Sequence, residues 1–299
     1  FPVLLALAAP PVPAAAEPPP SLAEAVKQAD IKHLDAKELA DTGDAPRIEG
    51  GSGEEDLEPE AREIAQGNVR ASLTYRETTS EEGETTRVPA VTIFADGEEV
   101  ARLEGEELGF SDPPVAVQIA EIDPANSEPE VVVSFFTGGA HCCSDTKVVT
   151  KARDGSGWIT VELGQFDGGP LLASDLAGDD SYVFEIRDNA FLYAFACYAC
   201  SAAPLKILTV EDGAVKDVST DPKFRAAHEA YLKDMILNVP DEDVNGFLAG
   251  YVGEKIRLGE GKEAWELMLT YYDRESDWGL DLCDQPLDEE GACPGTTRR

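Results

Sequence analysis

The sequence predicts a mainly β protein with a C-terminal helical region, an α+β chain whose β part is an incomplete propeller or a sandwich. Three observations carry this reading. Roughly ten short runs of alternating or continuous apolar residues fall between 69 and 219, separated by Asp-Gly and other turn signals. At Thr220-Asp221-Pro222 the apolar period changes from two to about 3.6 residues, the mark of helices. The chain is 299 residues long and 42% hydrophobic, enough to bury a sizeable core.

The elements follow in order. Residues 1–16 pair a short apolar run with Val12-Pro13-Ala14-Ala15-Ala16, the h-region and cleavage site of a signal peptide whose basic n-region is not in this sequence. Cleavage after Ala16 places the protein in the periplasm or outside the cell, where disulfides persist. No later segment reaches 18 apolar residues, so no membrane span is expected.

Residues 17–68 read as an acidic segment, partly helical or disordered. Leu22, Ala25, Val26, Ala29, Leu34 and Leu39 have helical spacing over 21–40, and 41–60 reads as a mobile acidic linker. The β-rich domain over 69–219 begins with alternation at 69–75. A hairpin follows at Asp96-Gly97 between 88–94 and 99–103, then strands at 115–122 and 131–136. A second hairpin turns at 154–157 between 147–150 and 158–163, and strands at 182–186, 191–196, 205–210 and 215–218 complete the series.

The helical domain over 220–299 opens with Thr220 or Asp221 as the cap and Pro222 at the first helical position. Phe224, Ala227, Tyr231, Met235 and Ile236 form its first stripe, and Pro240 ends that helix. Helices at 241–258 and 261–272 follow, divided by Gly259, the last carrying Ala264, Leu267, Met268 and Tyr271 on one face. The tail holds Trp278, Cys283 and Cys293.

The charge excludes some functions. Fifty-nine acids against 24 bases give a net charge of −35, which repels nucleic acid and anionic lipid head groups. Cations, basic proteins and neutral molecules remain as partners. No Gly-x-Ser-x-Gly elbow, His-Glu-x-x-His helix, P-loop or dinucleotide fingerprint occurs, so the sequence leans away from an enzyme. Tyr193, Tyr198, Trp158 and Phe166 suit either core packing or a carbohydrate platform.

The strand at 130–136 runs into Thr137-Gly138-Gly139-Ala140-His141-Cys142-Cys143, which is either a covalent staple or a chemical site. Six cysteines in an exported chain argue for bridges. Cys283 and Cys293 are expected to pair, closing a short loop worth about 2–3 kcal/mol in the chain-entropy account. For Cys142, Cys143, Cys197 and Cys200 the pairing stays open. Either Cys142 and Cys143 each take a partner from Cys197-Tyr-Ala-Cys200, or each motif closes on itself. A minority reading makes His141, Cys142, Cys143, Cys197 and Cys200 a soft-ligand site for copper or zinc. Another gives Cys197 and Cys200 a thiol-exchange role.

Residues 117–136 and 172–186 share a pattern of strand, Asp-rich turn and strand, with turns at Asp123 and Asp175. The pattern resembles the FG-GAP or VCBS repeats of extracellular β-propellers, which often hold calcium in that turn. The resemblance implies a weak calcium site at Asp175, Asp179 and Asp180, whereas Asp123, Asn126 and Glu128 offer too few ligands. The stretch from Gly-Gly-Ala-His-Cys-Cys to Asp277-Trp278-Gly279-Leu280 also resembles a group of uncharacterised bacterial secreted proteins. The resulting expectation is a non-catalytic, cofactor-free secreted or periplasmic protein that binds an unknown protein or small ligand. Its recognition surface would lie on the loops at 137–146 and 197–204.

Overall fold

The computed structural model describes residues 20–37, 44–51, 62–79, 85–109, 113–139, 142–279, 282–283, 285–286, 293–295 and 297–298. The signal-peptide segment at 1–16 and His141 lie outside them, as does most of the stretch read as a linker.

The first element is helix α1 (Leu22–Ala29), started by a capping box in which Ser21 and Glu24 satisfy each other's backbone donors. Among the described residues, twelve strands follow. They are β1 (Arg47–Gly50), β2 (Arg62–Gln66), β3 (Val69–Thr79), β4 (Thr85–Ala95), β5 (Glu98–Glu104), β6 (Val115–Ala120), β7 (Glu130–Phe136), β8 (Cys142–Lys151), β9 (Trp158–Asp167), β10 (Phe184–Arg187), β11 (Leu205–Glu211) and β12 (Ala214–Asp217). Helices α2 (Arg225–Leu237), α3 (Val244–Arg257) and α4 (Gly261–Tyr271) come next, then the short pair β13 (Leu282–Cys283) and β14 (Thr297–Arg298).

All the ladders are antiparallel. The largest sheet has the order β1-β6-β7-β8-β9; beside it lie β2-β3-β4-β5 and β10-β11-β12. Strand periodicity explains how they stack. In β7, Val131, Val133 and Phe135 point into a core shared with Val69, Ala71, Leu73, Val91 and Ile93 of β3 and β4. Val132 points the other way, into a core shared with Phe184, Leu208 and Val210 of β10 and β11. The five-stranded sheet is thus covered on both faces, which is why β6 and β7 read as unbroken apolar runs rather than as alternation. The outer face of β10–β11 meets α2 through Val183, Leu205, Ile207, Phe224 and Ala227. The helices then form their own core around Leu232, Phe247, Leu248 and Tyr251, with Leu22 and Val26 of α1 inserted. The architecture is mainly β, in three stacked sheets, with a C-terminal helical region and, among the described residues, no closed barrel.

Buried polar side chains stitch the layers. Gln118 on β6 donates its amide to the Ala173 carbonyl at 2.9 Å and accepts the Ala173 N–H at 2.8 Å. It satisfies the backbone of Ala173 as a neighbouring strand would. Glu130 takes the N–H groups of Ile122 and Asp123 at 2.8 and 3.0 Å. Asp123 in turn pairs with Arg153 and accepts the Asp212 N–H at 3.0 Å.

Several expectations differ from the structure. The stretch read as a linker contains β1, which pairs with β6 from Arg47↔Gln118 to Gly50↔Val115. Its buried Ile48 explains the pairing, although four residues are too short to show a period. The strand expected at 191–196 is a 3-10 turn at Asn189–Phe191 followed by irregular chain, and Tyr193 takes a positive φ of 59°. Aromatic composition misled there, because these rings pack on one another and on α3 rather than along a ladder. The two segments that resemble FG-GAP units also differ from each other. The first is the β6–β7 hairpin, and the second closes with a single bridge between Ser174 and Val183 before β10.

Candidate functional site

The two cysteine motifs meet at Asp167, one through the strand register of Cys142 and the other through a side-chain hydrogen bond from Tyr198. Strand β7 ends at Phe136, and the chain turns through Gly138 (φ 83°) and Gly139 (φ 112°), conformations that favour glycine. Thr137 closes the loop with its N–H and hydroxyl, each 2.9 Å from the Cys143 carbonyl. Cys142 then stands opposite Asp167, the last residue of β9. Ser144 adds a hydrogen bond to the Gly168 carbonyl at 3.1 Å.

Asp167 faces the second motif. Its Oδ1 accepts the Tyr198 hydroxyl at 2.5 Å, and its Oδ2 accepts Arg187 Nη2 at 2.5 Å. Only 6% of the Asp167 side chain is exposed, against 49% for Arg187. The hydrogen bond to Asp167, and then desolvation, raise the Tyr198 phenol above its ordinary value. Its ring leans on Tyr193 at 5.6 Å between centroids.

Tyr198 is held by a compact turn. Cys197 and Cys200 are bonded to each other with 5.0 Å between their Cα atoms. In an extended strand three residues would separate them by about 10 Å, so the 3-10 turn at Tyr198–Cys200 is what permits the bridge. The Cys200 N–H points at Cys197 Sγ at 3.2 Å, and Ser201 Oγ donates to the Cys197 carbonyl at 2.8 Å.

Helix α3 carries this turn on three glycines. A Cβ at Gly246 would meet the Cys200 carbonyl oxygen at 2.4 Å, and one at Gly250 the Ala202 oxygen at 2.4 Å. At Gly253 it would meet Pro204 at 3.0 Å. The absence of side chains on this face lets the 196–204 segment lie against the helix backbone. Gly250→Ala is therefore expected to lower unfolding free energy by about 1–3 kcal/mol through overpacking. That outweighs the helix-propensity gain of up to about 1 kcal/mol. Urea denaturation checks it, and an unchanged midpoint would contradict the packing described.

Beside Asp167 opens a cleft of about 200 Å³, lined by Phe166, Asp167, Leu171, Glu185, Ile186, Arg187 and Asn189. Apolar walls with two carboxylates, a guanidinium and an amide suit a small ligand that both donates and accepts hydrogen bonds. Among the described residues, no histidine or cysteine lines it. Asp167, Arg187 and Asn189 were not singled out from the sequence, because they converge from separate elements and share no local motif.

The other candidate residues fall as follows. Cys143 is disulfide-bonded, and Cys283 is bonded to Cys293 with 5.6 Å between Cα atoms. Because Cys197 and Cys200 take each other, neither is left for a bridge to the 142–143 block, and neither presents a thiolate in this state. His141 and the side chain of Cys142 lie outside the described residues. Asp175 accepts the N–H groups of Gly178, Asp179 and Asp180 at 2.8, 3.1 and 3.1 Å, so both its oxygens are engaged in shaping the turn. Asp179 accepts Lys223 at 3.3 Å. In the first loop, Glu128 pairs with Lys151 at 3.2 Å.

Among the described residues, the ligand-type side chains that gather are Asp30, His33 and Glu260, all within 4.8 Å. The Lys255 ammonium bonds both Asp30 and Glu260, the latter at 2.6 Å, so an internal cation already balances the group. His33 Nε2 donates to Glu260 at 3.0 Å, and Lys32 reaches Glu260 at 2.7 Å.

Residues 225–299 match a family described as the sll0997 C-terminal domain. A protein of Synechocystis sp. named "Probable thylakoid lumen protein sll0997" is 40% identical over 284 residues, 92% of this chain and 82% of that protein. The chain belongs to this family. The family's C-terminal domain holds α2, α3, α4 and the Cys283–Cys293 bridge, and so includes the glycine face beneath the Cys197–Cys200 turn. A second relative is a Sinorhizobium fredii protein named "Uncharacterized protein y4bJ", 35% identical over 220 residues; these are 72% of this chain and 34% of that protein. No solved structure matches.

Proposed function

We propose that the chain is a non-catalytic protein of an exported compartment that binds a small ligand or a protein segment at the Asp167 cleft. The observation that carries this is the convergence on Asp167. The β7–β8 loop reaches it through Cys142, and the disulfide-closed turn reaches it through Tyr198. The Cys197–Cys200 bridge and the glycine face of α3 hold one loop, and the Thr137–Cys143 hydrogen bonds hold the other, a preorganised rim that lowers the ordering cost of binding. The lumenal name of the Synechocystis relative and the disulfides agree with export. A fragment screen read by amide chemical shifts tests it. Hits should cluster on 166–171, 185–189 and 197–201 and vanish in Arg187→Ala; hits that ignore this region would refute the assignment.

One observation favours a second reading, a soft-metal or thiol-redox role for His141, Cys142, Cys143, Cys197 and Cys200. The Cys200 N–H directed at Cys197 Sγ at 3.2 Å is the kind of contact that stabilises a thiolate once the bridge is reduced. A thiol titration with elemental analysis on air-purified protein separates the two. The binding reading expects no free thiol and no copper or zinc. Free thiols with stoichiometric metal would replace it with the second.

A further inference from the structure

Helix α4 has two apolar faces. The inner one, Ala264, Leu267, Met268 and Tyr271, joins the helical core. The outer one is Trp265, Leu269 and Tyr272, exposed by 52%, 54% and 46%. The spacing i, i+4, i+7 places all three on one stripe. Ile256, 61% exposed, extends it, because it sits against Gly261 at the start of the same face, where an added Cβ would come within 2.5 Å of Ile256 Cγ1. The stripe therefore runs the length of the helix, about 16 Å at 1.5 Å per residue. Large apolar side chains aligned in this way, rather than scattered singly, mark an interaction surface.

Charge selects the occupant. Glu263 and Glu266 on the helix and Asp273, Glu275 and Asp277 just beyond it are exposed, against Lys262 and Arg274. A second copy would bring the same acidic rim against this one, within a chain of net charge −35. An anionic membrane meets the same repulsion. What fits is a surface that offers apolar side chains at helical spacing and basic ones at their margins.

We propose that the Ile256-Trp265-Leu269-Tyr272 stripe of α4 docks a basic amphipathic helix of a partner protein. This surface is separate from the Asp167 cleft, so either assignment can fail without the other. The test uses the whole chain and a fluorescein-labelled leucine–lysine helix with its leucines on one face. Its control is a peptide of identical composition with the leucines spread all round. The first peptide should bind more tightly than the second, and Trp265→Ala/Leu269→Ala should weaken it by about tenfold or more. The double variant changes no charge, so attraction to the acidic surface as a whole is unaltered. Equal binding by wild type and variant would overturn the proposal. So would a dimer in sedimentation that the variant dissolves, which would make the occupant a second copy. Variant-sensitive binding to phosphatidylcholine vesicles in preference to the peptide would make it a lipid surface. Circular dichroism on the variant confirms that the exposed substitutions leave the fold intact.

Discussion

Lys255→Met is expected to destabilise the protein by about 3–5 kcal/mol and to free helix α1 from the helical core. Lys255 is 2% exposed and bonds Asp30, which is fully buried, and Glu260. Tyr251 donates its hydroxyl to the other oxygen of Asp30. Removing the ammonium leaves a buried carboxylate with one neutral partner, and the cost is that of the stranded charge rather than of a lost contact. The double variant Asp30→Asn/Lys255→Met is accordingly expected to be more stable than Lys255→Met alone. Urea denaturation of the two proteins, with amide exchange over 22–29, reads both effects. A double variant less stable than the single one would contradict the account.

The same network sets an acid limit. Desolvation pushes Glu260 up, but hydrogen bonds from Lys255, Lys32 and His33 outweigh it and hold the carboxyl well below its ordinary value of 4.5. A group depressed on folding contributes its stabilisation above the unfolded value and loses it as pH falls. Stability should therefore decline below about pH 4.5, and Glu260→Gln should flatten that decline. Lys255 is displaced the other way: burial lowers it, but Asp30 and Glu260 raise it above 10.5 on balance. Its contribution is fully present below that pH and fades above it.

Glu254→Ala is expected to cost a similar amount, about 3–5 kcal/mol. Glu254 is wholly buried where α3 meets β11. One oxygen accepts the Leu205 N–H at 2.8 Å, and the other lies 2.6 Å from Nδ1 of buried His228. Nε2 of that ring is 2.7 Å from the Ser219 carbonyl, which can only accept, so Nε2 is the donor there. Truncation to alanine strands the Leu205 amide and the imidazole together at the joint between sheet and helices. Glu263→Ala on the exposed face of α4 should change stability by no more than about 0.5 kcal/mol. Thermal or urea unfolding of both variants makes the comparison, and similar losses would refute the joint described.

These two networks show where the sequence is legible. Periodicity finds β3, β4, β6, β7 and α2–α4, because a repeating apolar face is a local signal. The Asp96-Gly97 and Asp212-Gly213 turns are readable for the same reason; each places a non-glycine residue at positive φ before a glycine. Stacking is less legible. Continuous burial in β7 says that both faces are covered but not by what. Buried partners are the least legible. His33 and Glu260 are 227 positions apart, and His228 and Glu254 are 26 apart, so no motif links them. The candidate site is intermediate. The loops at 137–146 and 197–204 stand out by their glycines and cysteines, but Asp167, which joins them, is one acid among 59.

The Asp30–Lys255 pair also orders events in time. It ties residues 225 positions apart, and the Tyr271 hydroxyl reaches the Pro20 carbonyl 251 positions away. An emerging chain exposes α1 long before its seat on α3 and α4 exists. The first described helix is thus among the last that can be fixed, and the molecule is completed only when its far end arrives to close the ring.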